Sequence, residues 1–281
     1  MQSKAQYPRP YAVYEELNGL PIITGPAVNG LKYFTTTAKN GRTTATSTSG
    51  DSDAFTEAGF NLGLSSGAEP KLVQANRARL ADELPSAPIW ISQVHGANVF
   101  DADLWQPDDE IAIADASVTT QPGRVLAIQT ADCMPIVLLG TGAKVLGVVH
   151  AGWRSLLLGV IENTISVMQE KGAESISHVW IGPAISSLAF EVGSEVRAAF
   201  LELNPEYESF FSLKKEQSDK YLANLVGIAN QKFADLMKTG DVASDCQISF
   251  SGLCTYALND WFYSYRRNAK TGRLATVAYL S

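Results

Sequence analysis

Residues 124–154, RVLAIQTADCMPIVLLGTGAKVLGVVHAGWR, decide the fold. Three apolar segments follow one another there, at residues 124–129, 135–139 and 145–150, each of strand length. Residues 153–170 then read as one amphipathic helix, with Leu156, Leu157, Val160, Ile161, Ile165 and Met168 on its inward side. Several strands running together before a helix favour α+β layers with mixed sheets over a regular βαβ succession.

Working outward, residues 179–181 read as a strand, 194–203 and 221–237 as helices, and 248–250, 262–266 and 275–280 as closing strands. On the other side, residues 89–91 form a short strand preceded by a helix over 70–84, with apolar spacing at Leu72, Val73, Ala75, Ala78 and Leu80. Residues 61–67 are rich in turn formers, and 40–53, dense in Gly, Ser and Thr, read as an exposed loop. Residues 1–20 form a loosely held lead-in. With no tandem repeat, low-complexity segment or long linker, the expectation is a single domain over residues 1–281.

The chain has 281 residues, 46% of them hydrophobic, enough to bury a substantial core. Its net charge of −7 argues against a nucleic-acid backbone or an anionic membrane as partner, while leaving room for a basic pocket that binds a small anion. Residues 1–8 carry no apolar signal-peptide core, and no apolar run approaches the ~20 residues of a membrane span. Cys133, Cys246 and Cys254 are odd in number and lack disulfide-like spacing, as in a reducing compartment. A soluble cytoplasmic protein, monomeric or a small homo-oligomer, is expected.

The sequence has three histidines and three cysteines, and His95, Cys133 and His150 fall in its most distinctive segments: Gln93-Val94-His95-Gly96, Thr130-Ala131-Asp132-Cys133-Met134-Pro135 and Val149-His150-Ala151-Gly152-Trp153-Arg154. Each follows or ends an apolar run. Two imidazoles and a thiolate suit a transition metal, zinc best if a fourth position stays open. The same trio also suits a Cys/His nucleophile site. Asp132 beside Cys133 is a poor core pair and a candidate acid or base. Gly152 lets a ligand approach the backbone, and Arg154 at a helix start suits phosphate or carboxylate. Gln93 beside His95 is a candidate substrate contact. So are Thr255 and Arg266, in a C-terminal run whose aromatics (Tyr256, Phe262, Tyr263, Tyr265) form either an edge strand or a pocket wall that stacks on a planar ring. His178 has no such context and reads as a surface residue.

Further short motifs complete a pattern: Asn61-Leu62-Gly63, Asn76-Arg77, Ala114-Asp115-Ala116, Ile181-Gly182-Pro183-Ala184, Cys254-Thr255-Tyr256 and Ser264-Tyr265-Arg266-Arg267. Together, over nearly the whole chain, they resemble the YfiH-like family, also called the multicopper polyphenol oxidase or laccase-domain family and the peptidoglycan editing factor. The resemblance implies a four-layered α/β/β/α fold and zinc held by His95, Cys133 and His150. It also implies phosphorolysis of adenosine, inosine and methylthioadenosine, with some adenosine deamination. The chain departs from the family pattern at Ser65 and Ala68, where relatives often carry His and Asp, at Ser155 for a glycine, and at Asn224 for an aspartate.

Three functions compete. A purine nucleoside phosphorylase needs an oriented phosphate, which Arg154 supplies, and a group that handles the leaving base's proton, for which Asp132 is the candidate. Deamination needs a metal-activated water. A cysteine hydrolase acting on peptidoglycan precursors uses Cys133 as nucleophile with His150 or His95 as base. A copper-dependent polyphenol oxidase is disfavoured: one blue-copper centre consumes two histidines and a cysteine, leaving only His178 for a trinuclear cluster.

Overall fold

Along Met134–Gly142 the side chains alternate between two apolar cores, and this alternation stacks two sheets. The computed structural model describes residues 10–41, 54–142, 144–214 and 219–281. Its chain opens with β1 (Val13–Leu17), β2 (Leu20–Thr24) and β3 (Leu31–Thr36). After α1 (Pro70–Ala81) come β4 (Ile89–Trp90), β5 (Val99–Asp101), β6 (Ala116–Thr119), β7 (Leu126–Thr130), β8 (Met134–Gly142) and β9 (Leu146–Ala151). Then follow α2 (Trp153–Leu157), α3 (Val160–Glu170), β10 (Ala173–Ile181), β11 (Glu191–Gly193) and α4 (Ser194–Leu203). The chain closes with β12 (Phe211–Leu213), β13 (Lys220–Ala223), α5 (Leu225–Thr239), β14 (Val242–Phe250) and β15 (Leu274–Leu280).

The first sheet has the order β1-β2-β3-β15-β7-β4, the second β14-β10-β8-β9-β6-β5, and β11-β13-β12 form a small third sheet. Both large sheets are mixed: β4 runs parallel to β7, and β10 parallel to β14, among antiparallel pairs. Val137, Leu139, Leu146, Val148 and Trp180 of the second sheet share a core with Leu126, Ile128, Leu274 and Leu280 of the first. Their neighbours Ile136, Leu138, Val149, Val179 and Ile181 face the opposite way and meet Leu156, Ile161, Ile165 and Phe233 of the helices. On the far side of the first sheet, Phe34, Ala127 and Val277 pack with Leu80 of α1 and with Phe60 and Leu62. The layers are therefore helix, sheet, sheet, helix, the α/β/β/α arrangement expected.

Several local expectations change. The helix expected over 153–170 is two helices, because Gly159 takes φ +82° and redirects the chain between them. The helix expected from 221 starts at Leu225: residues 220–223 pair with β11 and β12, and Asn224 caps α5 by accepting the Gly227 N–H at 2.9 Å. Residues 262–266 are not a strand. Phe262 and Tyr263 are consecutive and both fully buried, and the Arg267 guanidinium, not a neighbouring strand, takes the carbonyls of Thr255, Tyr256 and Phe262. Within the expected lead-in, β1 instead pairs with β2 through a turn at Asn18-Gly19, both at positive φ, as a two-residue type I′ hairpin turn requires. Residues 1–9 and 42–53 of the expected lead-in and loop lie outside the described residues. His178 is not on the surface: it is 4% exposed, with its Nε2 3.1 Å from the Tyr33 hydroxyl.

Candidate metal centre and active-site cleft

The cleft lies at the seam between the two large sheets, where strand ends from both converge. Beyond β4, Gln93 stands in for strand backbone. Its amide donates to the Gln129 carbonyl at 2.8 Å, and its oxygen accepts the Gln129 N–H at 2.7 Å. This pins the His95 segment to β7. Residues 131–133 carry the chain from β7 in the first sheet to β8 in the second, so Cys133 sits on the crossover. His150 is supplied by β9, next to the crossover because Pro135 pairs with it in the antiparallel register.

The ligating atoms of His95, Cys133 and His150 all lie within 4.8 Å of one another. Cys133 Sγ is 3.8 Å from His95 Nε2, and the two imidazole rings meet edge-on at 4.9 Å. Gly152 makes room for them: a Cβ there would stand 3.0 Å from Cys133 Sγ and 3.1 Å from His95 Cδ2. Behind the trio is a residue passed over in the sequence, the fully buried Asp115. Its carboxylate accepts from His150 Nδ1 at 2.8 Å and from the backbone N–H groups of Val94, His95 and Gly96 at 3.2, 2.9 and 2.6 Å. It thus holds His95 in left-handed backbone (φ +60°) and orients the His150 ring. Burial pushes the Asp115 carboxyl up, but donation from His150 and these N–H groups outweighs it and holds the pKa low. Burial likewise opposes charge on Cys133 and His150, yet their mutual attraction wins, bringing the thiol down and the imidazole up.

A second carboxylate, Asp132, is 7% exposed with φ +95°. It accepts from the Thr255 hydroxyl at 2.7 Å, the Ser264 hydroxyl at 3.0 Å and the Arg266 N–H at 2.7 Å. Thr255 is thereby buried behind the cleft wall, while the Arg266 guanidinium lies over the Phe190 ring at 5.4 Å. Arg154 is exposed and lies over its neighbour Trp153 at 4.4 Å. Because α2 has five residues, the helix field there is small and Arg154 offers mainly its own charge.

The cleft encloses about 780 Å³, bordered by the trio, Gln93, Asp132 and the aromatic residues Trp90, Trp153, Phe190 and Tyr265. Four arginines, Arg77, Arg154, Arg266 and Arg273, also border it. None of the four forms an ion pair among the described residues. Tyr265 lines the cleft as the pocket-wall reading expects, whereas Arg77, Arg273 and Asp115 are the site residues that single-residue reasoning missed. The short motifs around Arg77 and Asp115 were the available signal. Among the described residues no helix is long and apolar enough to cross a membrane.

A four-layered fold whose sheet seam carries a His-Cys-His cluster in an arginine-lined cleft defines a candidate metal-dependent enzyme class. A family model described as multi-copper polyphenol oxidoreductase laccase matches residues 41–281, and the chain belongs to this family. It is 40% identical over 223 residues to "Purine nucleoside phosphorylase YfiH" of Shigella flexneri, covering 79% of this chain and 86% of that protein. It is 36% identical over 221 residues to "Purine nucleoside phosphorylase PA4543" of Pseudomonas aeruginosa, again covering 79% and 86%. The crystal structure of Neisseria meningitidis protein NMB0706 superimposes with a TM-score of 0.75 at 30% identity, over 94% of this chain and all of that one. Geobacillus stearothermophilus YlmD gives 0.76 at 27% identity, over 95% and 97%.

The donor set fits one ion with nitrogen and sulfur ligands: atoms bound to a common tetrahedral zinc stand roughly 3.3–3.6 Å apart, and here the sulfur is 3.8 Å from His95 Nε2 with all three donors within 4.8 Å, so a small inward shift would seat the ion. It does not fit a multicopper assembly. The chain has three histidines, and the third, His178, is buried between the sheets against Tyr33.

Proposed function

We propose that the chain is a zinc-dependent purine nucleoside phosphorylase, with residues 1–281 acting as one catalytic domain. Adenosine, inosine and methylthioadenosine are the nucleosides, orthophosphate is the second substrate, and adenosine deamination is a side activity of the same cleft. The observation that carries this reading is the junction, in one cleft, of the His95-Cys133-His150 cluster with aromatic faces and arginines that form no ion pair among the described residues. His95, Cys133 and His150 would hold the zinc, which supplies Lewis-acid polarisation when bound.

The remaining work falls to this chain's own side chains. Trp153 and Tyr265 offer faces to a planar base. Arg154 and Arg266 attract the anionic co-substrate and hold its charge beside the ribose C1′, where the bond to phosphate forms as the bond to the departing base breaks. Asp132, with both oxygens engaged, fits holding the Arg266 loop and the Cys133 turn better than carrying a proton. In the metal-free protein, Cys133, His150 and Asp115 also line up as thiol, imidazole and carboxylate, which supports a cysteine hydrolase acting on peptidoglycan precursors as a second reading. A zinc-bound sulfur is a poor nucleophile, so the two readings are exclusive.

The test is incubation of the protein, as isolated and with its metal content measured, with adenosine or inosine, with and without phosphate. Free base and ribose 1-phosphate are expected only with phosphate, and iodoacetamide should reach Cys133 only after chelation. Base release that ignores phosphate, or activity that survives chelation but not alkylation, would overturn the reading. Phenol oxidation only after copper loading would mark an incidental activity. Arg154→Ala should keep zinc and fold while its apparent phosphate affinity falls about tenfold or more, as for a lost contact of ~1.5–3 kcal/mol.

A further inference from the structure

Two of the cleft arginines belong to a different part of the molecule from Arg154. Arg77 comes from α1, and Arg273 immediately precedes β15, so both are presented from the first-sheet side, whereas Arg154 rises from α2 on the second-sheet side. The two are fixed by one turn, at Asn61-Leu62-Gly63. The Leu62 carbonyl accepts from Arg77 Nε at 2.8 Å, and the Leu62 N–H donates to the Arg273 carbonyl at 3.0 Å. The Asn61 side-chain oxygen accepts the N–H groups of both Gly63 and Arg273 at 2.9 Å. The Asn61-Leu62-Gly63 and Asn76-Arg77 motifs thus have a joint product: two guanidiniums set on one wall.

Holding them there is costly. Burial pulls the Arg77 pKa down to about 10 and lowers that of Arg273. Neither forms an ion pair among the described residues; Asp132 and Cys133 offset the burial of Arg273 only in part, and its Nη1 donates to the Thr271 and Gly272 carbonyls at 3.0 and 2.9 Å. The Arg77 guanidinium lies over the Trp90 ring, its Cζ 3.9 Å from the ring centre, and Arg273 is 5.9 Å from the Tyr265 ring. With Nε engaged, the two terminal nitrogens of Arg77 remain to pair with oxygens of a phosphoryl group, the fork a guanidinium offers to phosphate.

We propose that Arg77 and Arg273 form a phosphoryl-group site on the first-sheet wall of the cleft, separate from the anion position of Arg154. Its ligand is either orthophosphate or the phosphate of a purine nucleoside 5′-monophosphate. The inference deepens the phosphorylase reading and rests on it for the identity of the ligand.

Binding of orthophosphate, adenosine and adenosine 5′-monophosphate is measured by calorimetry on the zinc-loaded protein and on Arg77→Ala, Arg273→Ala and Arg154→Ala. Arg77→Lys and Arg273→Lys keep the charge if an alanine variant fails to fold. If orthophosphate is the ligand, the protein binds it at two places: the Arg77 and Arg273 variants weaken one binding event at least tenfold and spare the other, and Arg154→Ala does the reverse. If the 5′-phosphate is the ligand, the wild type binds the monophosphate at least tenfold more tightly than adenosine, and the two variants lose that margin with orthophosphate binding intact. Folded variants in which neither affinity moves would overturn the proposal and leave both arginines as latches for the turn. These are binding readouts, so a protein that binds phosphate but releases no base would instead count against the phosphorylase reading.

Discussion

Asp115 and Asp132 are both buried carboxylates at the seam, and each ties loops together, but they face different tasks. Asp115 gathers four donors from two metal-ligand segments: one ring nitrogen of His150 and three N–H groups around His95. Asp132 gathers three donors from the C-terminal part of the chain, none of them a metal ligand. One clasp shapes the His95-Cys133-His150 cluster and the other shapes the Arg266 side of the cleft. A carboxylate near reactive residues is thus informative only once its partners are known: with its lone pairs already engaged, it acts through the groups it holds.

The largest effect is expected at Asp115. Asp115→Ala leaves His150 without its buried partner and three N–H groups without an acceptor, so stability should fall by about 3–5 kcal/mol. Zinc affinity should fall by about 100-fold or more, at the upper end for an outer partner of a ligand. Denaturant unfolding and elemental analysis check both. Asp132→Asn should behave differently, keeping its zinc while kcat/KM for the nucleoside drops about 10-fold as the Arg266 loop loosens. If zinc is lost there too, the two clasps are one cooperative unit and the contrast fails.

The third histidine sharpens the comparison, because it is buried with no carboxylate partner among the described residues. Burial lowers the His178 pKa from 6.5 to about 4. Below pH 6.5 the unfolded chain takes up a proton that the folded chain refuses, so stability is intact above that pH and declines as it falls toward 4. The loss reaches about 3 kcal/mol at most, at 1.36 kcal/mol per pKa unit. His178→Gln should flatten this part of a Tm-against-pH curve; an unchanged curve would place the acid sensitivity elsewhere. The smallest effect is expected from Gly152→Ala, whose new Cβ presses on Cys133 and His95. Zinc affinity should weaken about tenfold or less with the fold intact, measured by competition with a chromophoric chelator.

Much of the site was legible because its residue types are rare and chemically marked. His95, Cys133 and His150 stood out at strand ends, and the structure brings them together. The motif Ala114-Asp115-Ala116 marked Asp115 as distinctive but not what it does, since an aspartate between two alanines names no partner. What connects it to His150 is sheet register: Ala116 pairs with Val149, so the preceding Asp115 lies beside His150, 35 residues away in the chain. His178 was misread for the matching reason, that nothing local records that the opposite sheet supplies Tyr33.

By itself, then, the sequence determined the elements that local periodicity dictates, the layered class and the ligand types, because spacing and side-chain chemistry are properties of short segments. The tertiary structure decided which histidine is buried, which carboxylate serves the metal centre, where the helix after Gly152 breaks, and that Arg77 and Arg273 share a wall. Each of those follows from pairing and packing between segments distant in the chain, and in such contacts the cost of burying a polar group is settled by partners that no local stretch of sequence contains.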